Sequence, residues 1–212
     1  MSAPAVPVNF WDQQYAHSDF KYGTQPNAFV REHCARLKLR SKLLLPGDGE
    51  GRNSVWLAAQ GHAVTAVDSS AVGIAKALAL AAEKGVTVET VRAELGAWVP
   101  PAEQYDGVVQ TYLHLSPELR TRVHGQLLAS LRPGGLWMLE TFHPQQLHYS
   151  SGGPKSAELL YTLESLRHDM QSCSGATMTE LLAWEGEVLL DEGSGHQGKA
   201  YVTRLIACKN KP

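Results

Sequence analysis

A strand, a glycine turn and a helix stand in succession at residues 43–53, LLLPGDGEGRN, and nothing else in the chain constrains its fold so tightly. An apolar run leads into Gly47-x-Gly49-x-Gly51, and a helix begins near Arg52. Residues 63–68, AVTAVD, supply a second apolar strand ending at Asp68. A glycine-rich turn between strand and helix, with a carboxylate about 20 residues on at the next strand's tip, marks an adenosine-binding βαβ unit. The glycines let backbone approach a ligand where a Cβ would collide. The carboxylate can accept hydrogen bonds from both ribose hydroxyls.

Charge discriminates between adenosine cofactors. Nicotinamide and flavin dinucleotides set a pyrophosphate on this turn and on the helix N-terminus behind it. Here the turn carries Asp48 and Glu50, which repel a diphosphate. Arg52 stands where the dinucleotide pattern wants its third glycine. S-adenosylmethionine has no phosphate, and its sulfonium and ammonium suit an acidic turn.

With 212 residues, the chain is long for one average domain and short for two. We therefore expect a single domain over 1–212, with a sheet core over 42–208 and an N-terminal segment, 1–22, that covers the cofactor. A net charge of −2 gives no general attraction to nucleic acid or anionic membrane, so neither is expected as a partner. The first residues, MSAPAVPVNF, lack the basic and apolar regions of a signal peptide, and no apolar run is long enough to span a membrane. Cys34, Cys173 and Cys208 have no C-x-x-C spacing and fit reduced thiols, so a cytoplasmic location is expected.

Strands alternate with helices along the chain. Residues 1–9 look loose. Pro26-Asn27 opens a helix to about Leu37. Strands are expected at 42–46, 63–68, 86–91, 106–111 and 136–142, with helices at 50–60, 71–84 and 117–131 between them. Pro133-Gly134-Gly135 reads as a turn. A helix near 156–170 precedes two strands, 180–190 and 199–208, with DEGSGHQGK as the loop between them. Such alternation implies a Rossmann-like doubly wound α/β sheet, mostly parallel. The final hairpin must add one antiparallel strand.

From about residue 10 to 208 the chain resembles the class I S-adenosylmethionine-dependent methyltransferases, whose sheet ends in such a hairpin. Within them it is most similar to the small bacterial tellurite-resistance (TehB-like) group. The residues behind that likeness are Tyr22-Gly23 with Pro26-Asn27, Gly49-Glu50-Gly51-Arg52-Asn53, the stretch VTAVDSS, and Leu131-Arg132-Pro133-Gly134-Gly135. The resemblance implies methyl transfer to a small-molecule acceptor, such as an oxyanion like tellurite or a thiol. It puts Gly47, Asp48 and Gly49 at the methionine part of the cofactor, with Arg52 beside them. Asp68 and Ser69 go to the ribose, and Glu94 and Leu95 to adenine. Gln110 to His114 line the reacting methyl, and Trp11 and Tyr22 cover the cofactor. The family's acidic residue two positions before the first glycine is Leu45 here, so its contact is either absent or supplied by Asp48 or Glu50.

Methyl transfer needs alignment, exclusion of water, and a base only where the acceptor is protonated. Aromatics and histidines gather where such a site belongs, at the carboxyl ends of the strands. His114 and His143 are the candidate catalytic residues. Tyr112, His148, His196 and Lys199 are the candidate acceptor contacts. His143, His148 and His196 lack metal-site spacing, and no metal is expected. The run Phe10–Gly23 and the loop Asp191–Lys199 border the strand tips and have the features of a gate. Two other readings remain open: a nicotinamide-dependent oxidoreductase, and a module that binds S-adenosylmethionine without turnover.

Overall fold

A computed structural model describes residues 9–172 and 177–211. Of the loose start expected over 1–9, residues 1–8 lie outside the described residues, as does Cys173.

Seven strands form one sheet in the order β3-β2-β1-β4-β5-β7-β6. They are β1 Lys42–Pro46, β2 Ala63–Asp68, β3 Glu89–Arg92, β4 Tyr105–Thr111, β5 Leu131–Phe142, β6 Met178–Glu192 and β7 His196–Lys209. β1 to β5 pair in parallel, and β7 inserts antiparallel between β5 and β6. The expected doubly wound sheet with one antiparallel strand is therefore the observed fold.

Strand periodicity explains why both faces are covered. Leu43 and Leu45 point into one core, and Leu44 points into the other. The alternation repeats across the sheet: Val109, Met138 and Ile206 share a face, while Val108, Trp137 and Leu205 share the opposite one. Helices α2 (Ala28–His33), α3 (Arg52–Ala59) and α4 (Ala71–Glu83) cover the first face through Phe29, Val55 and Leu80. Helices α5 (Pro117–Ser130) and α6 (Leu163–Ser172) cover the second through Leu127 and Leu166. A further short helix, α1 (Phe10–Gln14), lies over α4.

Four expectations need correction. The helix expected near 156–170 is α6 and starts at Leu163, preceded by a single tight turn at Ala157–Leu159. β3 starts at Glu89 rather than 86. Pro133-Gly134-Gly135 falls inside β5, where the pairing jumps from Tyr105↔Leu131 to Gly107↔Leu136. The glycine-rich segment 191–199 is mostly strand, leaving only residues 193–195 as the turn. Two of its glycines, Gly193 and Gly195, serve close packing. A Cβ on Gly193 would lie 2.5 Å from the Gly23 nitrogen, and one on Gly195 would lie 2.4 Å from the Tyr22 ring. The Gly195 N–H donates to the Lys21 carbonyl at 2.9 Å. Among the described residues, no helix is long and apolar enough to cross a membrane.

Candidate active site

The carboxyl ends of β1, β2, β4 and β5, the segment 9–22 and the β6–β7 turn enclose a cavity of about 1240 Å³. Small-ligand pockets are typically about 300–1,000 Å³, so this one has room for a cofactor and a second molecule.

One end of the cavity is acidic. Gly47 and Gly49 adopt φ of 67° and 62°, which favours glycine, and they turn the chain sharply after β1. The Gly47 N–H donates to the Val67 carbonyl at 2.7 Å, so the turn is tied to the tip of β2. Asp68 closes the tie: its Oδ2 accepts the Gly49 N–H and its Oδ1 the Ser70 N–H, each at 2.8 Å. Burial raises the Asp68 carboxyl above the usual range, while those backbone donors pull it back. Asp48 is half-buried and lines the cavity. The Ser54 hydroxyl donates to its Oδ2, but its Oδ1 has no hydrogen-bond partner. Burial, with nearby Asp68 adding to it, pushes the Asp48 carboxyl up to about 7. Glu94, Leu95 and Ser69 line the same end. Glu50 does not reach the cavity: it pairs with Lys76 at 2.7 Å and accepts the Lys21 N–H at 2.8 Å. Its sequence-expected acidity is spent holding the N-terminal segment.

That segment roofs the acidic end. Asp12 accepts the Ser70 hydroxyl at 2.6 Å and the Val72 N–H at 3.1 Å, so α1 caps α4. Asn9 donates to the Ser69 hydroxyl at 3.0 Å. Trp11 stacks on Tyr15, with ring centroids 5.5 Å apart. Tyr15 in turn presses on the glycine turn, where a Cβ on Gly49 would come within 2.6 Å of its Oη.

The other end is aromatic. Tyr112 follows β4 with φ 51°, an uncommon conformation for a bulky residue. Its hydroxyl donates to Glu140 at 2.8 Å. The Tyr112 ring packs 4.6 Å from Phe142 and 4.3 Å from His196, and Tyr22 covers His196 at 4.5 Å. His114 lies parallel to Phe142 at 5.7 Å. Its Nδ1 sits 2.8 Å from the Leu159 carbonyl, which can only accept, so Nδ1 carries the proton. Nε2 is left with a lone pair and no partner. Burial pushes the His114 imidazole down to about 4, so it is neutral at pH 7.

Beneath this end lies a buried ionic layer. Arg52 reaches Glu192 at 2.8 Å, and Arg204 reaches Glu140 at 2.5 Å. The Asn27 amide donates to both carboxylates, to Glu140 at 2.6 Å and to Glu192 at 2.9 Å. His196 Nδ1 is 3.5 Å from Glu192, a loose contact, and burial outweighs that carboxylate in lowering its pKa.

The cavity brings together Trp11, Tyr22, Gly47, Asp48, Arg52, Asp68, Ser69, Glu94, Leu95, Tyr112, His114 and His196. Gly49 lies beneath Tyr15 and acts through Asp68. Four other candidates are elsewhere. Gln110 points to α5, where its amide meets His124 Nε2 at 3.1 Å, and His124 bonds Asp169 at 2.7 Å. His143 caps a short turn, accepting the Gln145 N–H at 3.1 Å, and faces Glu185 at 3.7 Å. His148 and Lys199 are exposed and do not line the cavity. Sequence reasoning missed the wall formed by Gly152, Gly153, Pro154 and Leu159. The Gly-Gly-Pro run was its one available signal: a Cβ on Gly153 would meet the Phe142 ring at 2.7 Å.

Residues 44–135 match the family model described as a methyltransferase domain. No curated protein sequence matches the chain. Solved structures share the fold. A S-adenosylmethionine-dependent methyltransferase from Methanosarcina mazei superposes with a TM-score of 0.68 at 18% identity, covering 89% of this chain and 100% of that one. TehB from Haemophilus influenzae gives 0.69 at 18% identity, covering 95% and 66%. The 1,6-didemethyltoxoflavin-N1-methyltransferase of Burkholderia thailandensis, solved with S-adenosylhomocysteine, gives 0.61 at 20% identity, covering 87% and 79%. The cavity fits the cofactor that such a domain implies. Asp48 Oδ1 is an unpartnered buried acceptor, which suits a cationic ligand and opposes a diphosphate. The chain thus has the class I methyltransferase fold, and its residues 44–135 match a methyltransferase domain, a match that implies S-adenosylmethionine as cofactor.

Proposed function

We propose that the protein methylates a small-molecule acceptor held at the aromatic end of the cavity, with His114 as the group that receives the acceptor's proton. The observation carrying this reading is His114, whose ring lines the cavity and whose buried Nε2 has no hydrogen-bond partner. When bound, S-adenosylmethionine supplies a methyl group made electrophilic by its sulfonium. Asp68 would hold the ribose, Glu94 and Leu95 the adenine, and Asp48 the amino-acid end. The rings of Tyr22, Tyr112 and Phe142 shut out water, which strengthens every polar contact inside. Ring faces beside a sulfonium contribute about 0.5–2 kcal/mol each. The acceptor's heteroatom must then be held about 3–3.5 Å from the methyl carbon.

The test is turnover across an acceptor panel that includes tellurite, selenite, thiols, phenols and nitrogen heterocycles. The expected result is acceptor-dependent formation of S-adenosylhomocysteine, with a product heavier by one CH₂ unit. A module that only binds would hold the cofactor and convert none of it under any acceptor. An oxidoreductase would instead oxidise or reduce a nicotinamide cofactor.

A further inference from the structure

We infer that the acceptor is a neutral, flat molecule presenting an N–H or O–H to His114 Nε2, and not an inorganic oxyanion. This rests on the reading of the cavity as a methyltransferase site and names its substrate class.

Three independent features converge on that chemistry. The first is hydrogen-bond polarity. The Leu159 carbonyl fixes the His114 proton on Nδ1, so Nε2 can only accept. A lone pair there attracts an N–H or O–H and repels the lone pairs of a deprotonated oxygen or sulfur. The second is shape. The His114 and Phe142 rings lie within 11° of parallel, and the Tyr112 and His196 rings close against Phe142. Gly152 and Gly153 let the His196 and Phe142 rings pack flush against their backbone, each 2.7 Å from where a Cβ would stand. Such walls fit a planar ring system.

The third is charge. The Arg52 and Arg204 guanidiniums beneath this end are engaged by Glu192 and Glu140, so the layer's charges cancel. Lys21 is on the N-terminal segment with its ammonium on Gln14, and Arg92 is at the opposite end beside Ser69. His114 and His196 are both buried and disfavour their charged forms. With the neutral thioether product bound, an oxyanion entering here sheds its hydration for at most the Lys21 ammonium, which meets only the Gln14 amide and lies 5.9 Å from the Tyr22 ring centroid.

The chemistry balances with this acceptor. Its heteroatom lone pair forms the new bond to the methyl carbon. The carbon–sulfur bond breaks, and its electron pair stays on sulfur as a neutral thioether. The acceptor's proton passes to His114 Nε2, and the resulting imidazolium returns it to solvent. The heteroatom grows acidic as the bond forms, so a weakly basic imidazole suffices.

The probes are 4-nitrophenol, 4-nitroanisole and tellurite, titrated by calorimetry into protein saturated with S-adenosylhomocysteine. We expect 4-nitrophenol to bind as the neutral phenol, with affinity falling at least about tenfold as pH is raised through the phenol's own ionisation. 4-Nitroanisole, which lacks the O–H, should bind at least about tenfold more weakly, and tellurite should show no saturable binding up to about 1 mM. His114→Phe keeps a flat ring and removes the acceptor, so it should erase the preference for the phenol over the anisole. Retained S-adenosylhomocysteine affinity in that variant shows that it is folded. Tighter binding of the phenolate or tellurite, or equal binding of phenol and anisole, overturns the inference while leaving methyl transfer standing. Failure of S-adenosylhomocysteine itself to bind overturns the methyltransferase reading and this inference with it.

Discussion

Asp68 accepts the backbone N–H of Gly49 at 2.8 Å, across 19 residues of chain. The two residues that mark an adenosine site in the sequence are therefore bonded to each other in the fold. Asp68 builds the turn as well as facing the cavity, and its substitution must act on both.

Asp68→Ala should lower the melting temperature as well as cofactor affinity. It leaves the Gly49 and Ser70 N–H groups without their acceptor, at about 1–3 kcal/mol for each buried donor left unmade. Asp68→Asn keeps one acceptor, so it should cost less stability yet still weaken S-adenosylhomocysteine binding at least about tenfold. Calorimetry and thermal unfolding separate the two effects. Unchanged affinity in the Asn variant would remove Asp68 from cofactor recognition.

Asp48 should release a proton when the cofactor binds. Its carboxyl is held up to about 7 in the free protein, and a bound cation favours the charged form. Affinity should rise with pH up to about 7 and then level off. Calorimetry in buffers of different ionisation enthalpy reads the proton directly, and Asp48→Asn should abolish it. A pH-independent affinity in the wild type contradicts the assignment.

Stability should show two opposed titrations above pH 4. His114 is pushed from 6.5 down to about 4, so the unfolded chain takes its proton first and stability falls as pH drops through that window. Asp48 is raised from 3.8 to about 7, so the folded chain takes its proton first and stability is gained over nearly the same window. Asp48→Asn should be more stable than the wild type above pH 7 and should lose stability more steeply between 6.5 and 4. Melting curves from pH 4.5 to 8 test this, and parallel profiles for the two proteins would refute it.

The core of the site was legible in the sequence because its signals are local. Gly47, Asp48 and Asp68 sit at fixed offsets from strands whose period is plain, and the turn cannot form without them. The residues at strand tips were harder, because neighbours point to opposite faces and the last register is set by loops. Phe142 lines the cavity and His143 turns away. Thr111 lines it and Gln110 packs on α5. His196 is buried in the site, whereas Lys199, three residues on along β7, is exposed. The segment 191–199 was misread for a related reason. Its glycines read as loop, whereas Gly193 and Gly195 permit contact with residues 21–23.

The N-terminal segment and the β6–β7 turn should accordingly move together. Gly195→Ala places a methyl group 2.4 Å from the Tyr22 ring and should displace that cover. Amide exchange in residues 10–23 should speed up in this variant, and cofactor affinity should fall several-fold, with a small change in melting temperature. Exchange confined to the turn would show that the two segments are uncoupled.

His114→Phe should reduce kcat by about 10²–10⁴ on the true acceptor, the usual range for a lost general base. Cofactor affinity should stay within about twofold, since His114 is not among the residues assigned to hold the cofactor. A full kcat would take the proton transfer away from this residue.

The most direct measurement is calorimetric titration of the protein with S-adenosylmethionine, S-adenosylhomocysteine and NAD under one set of conditions. The expected result is saturable binding of the first two near micromolar, about −8 kcal/mol, and no binding of NAD. Comparable affinity for NAD, or no binding of S-adenosylmethionine, would contradict the assignment of the acidic end of the cavity.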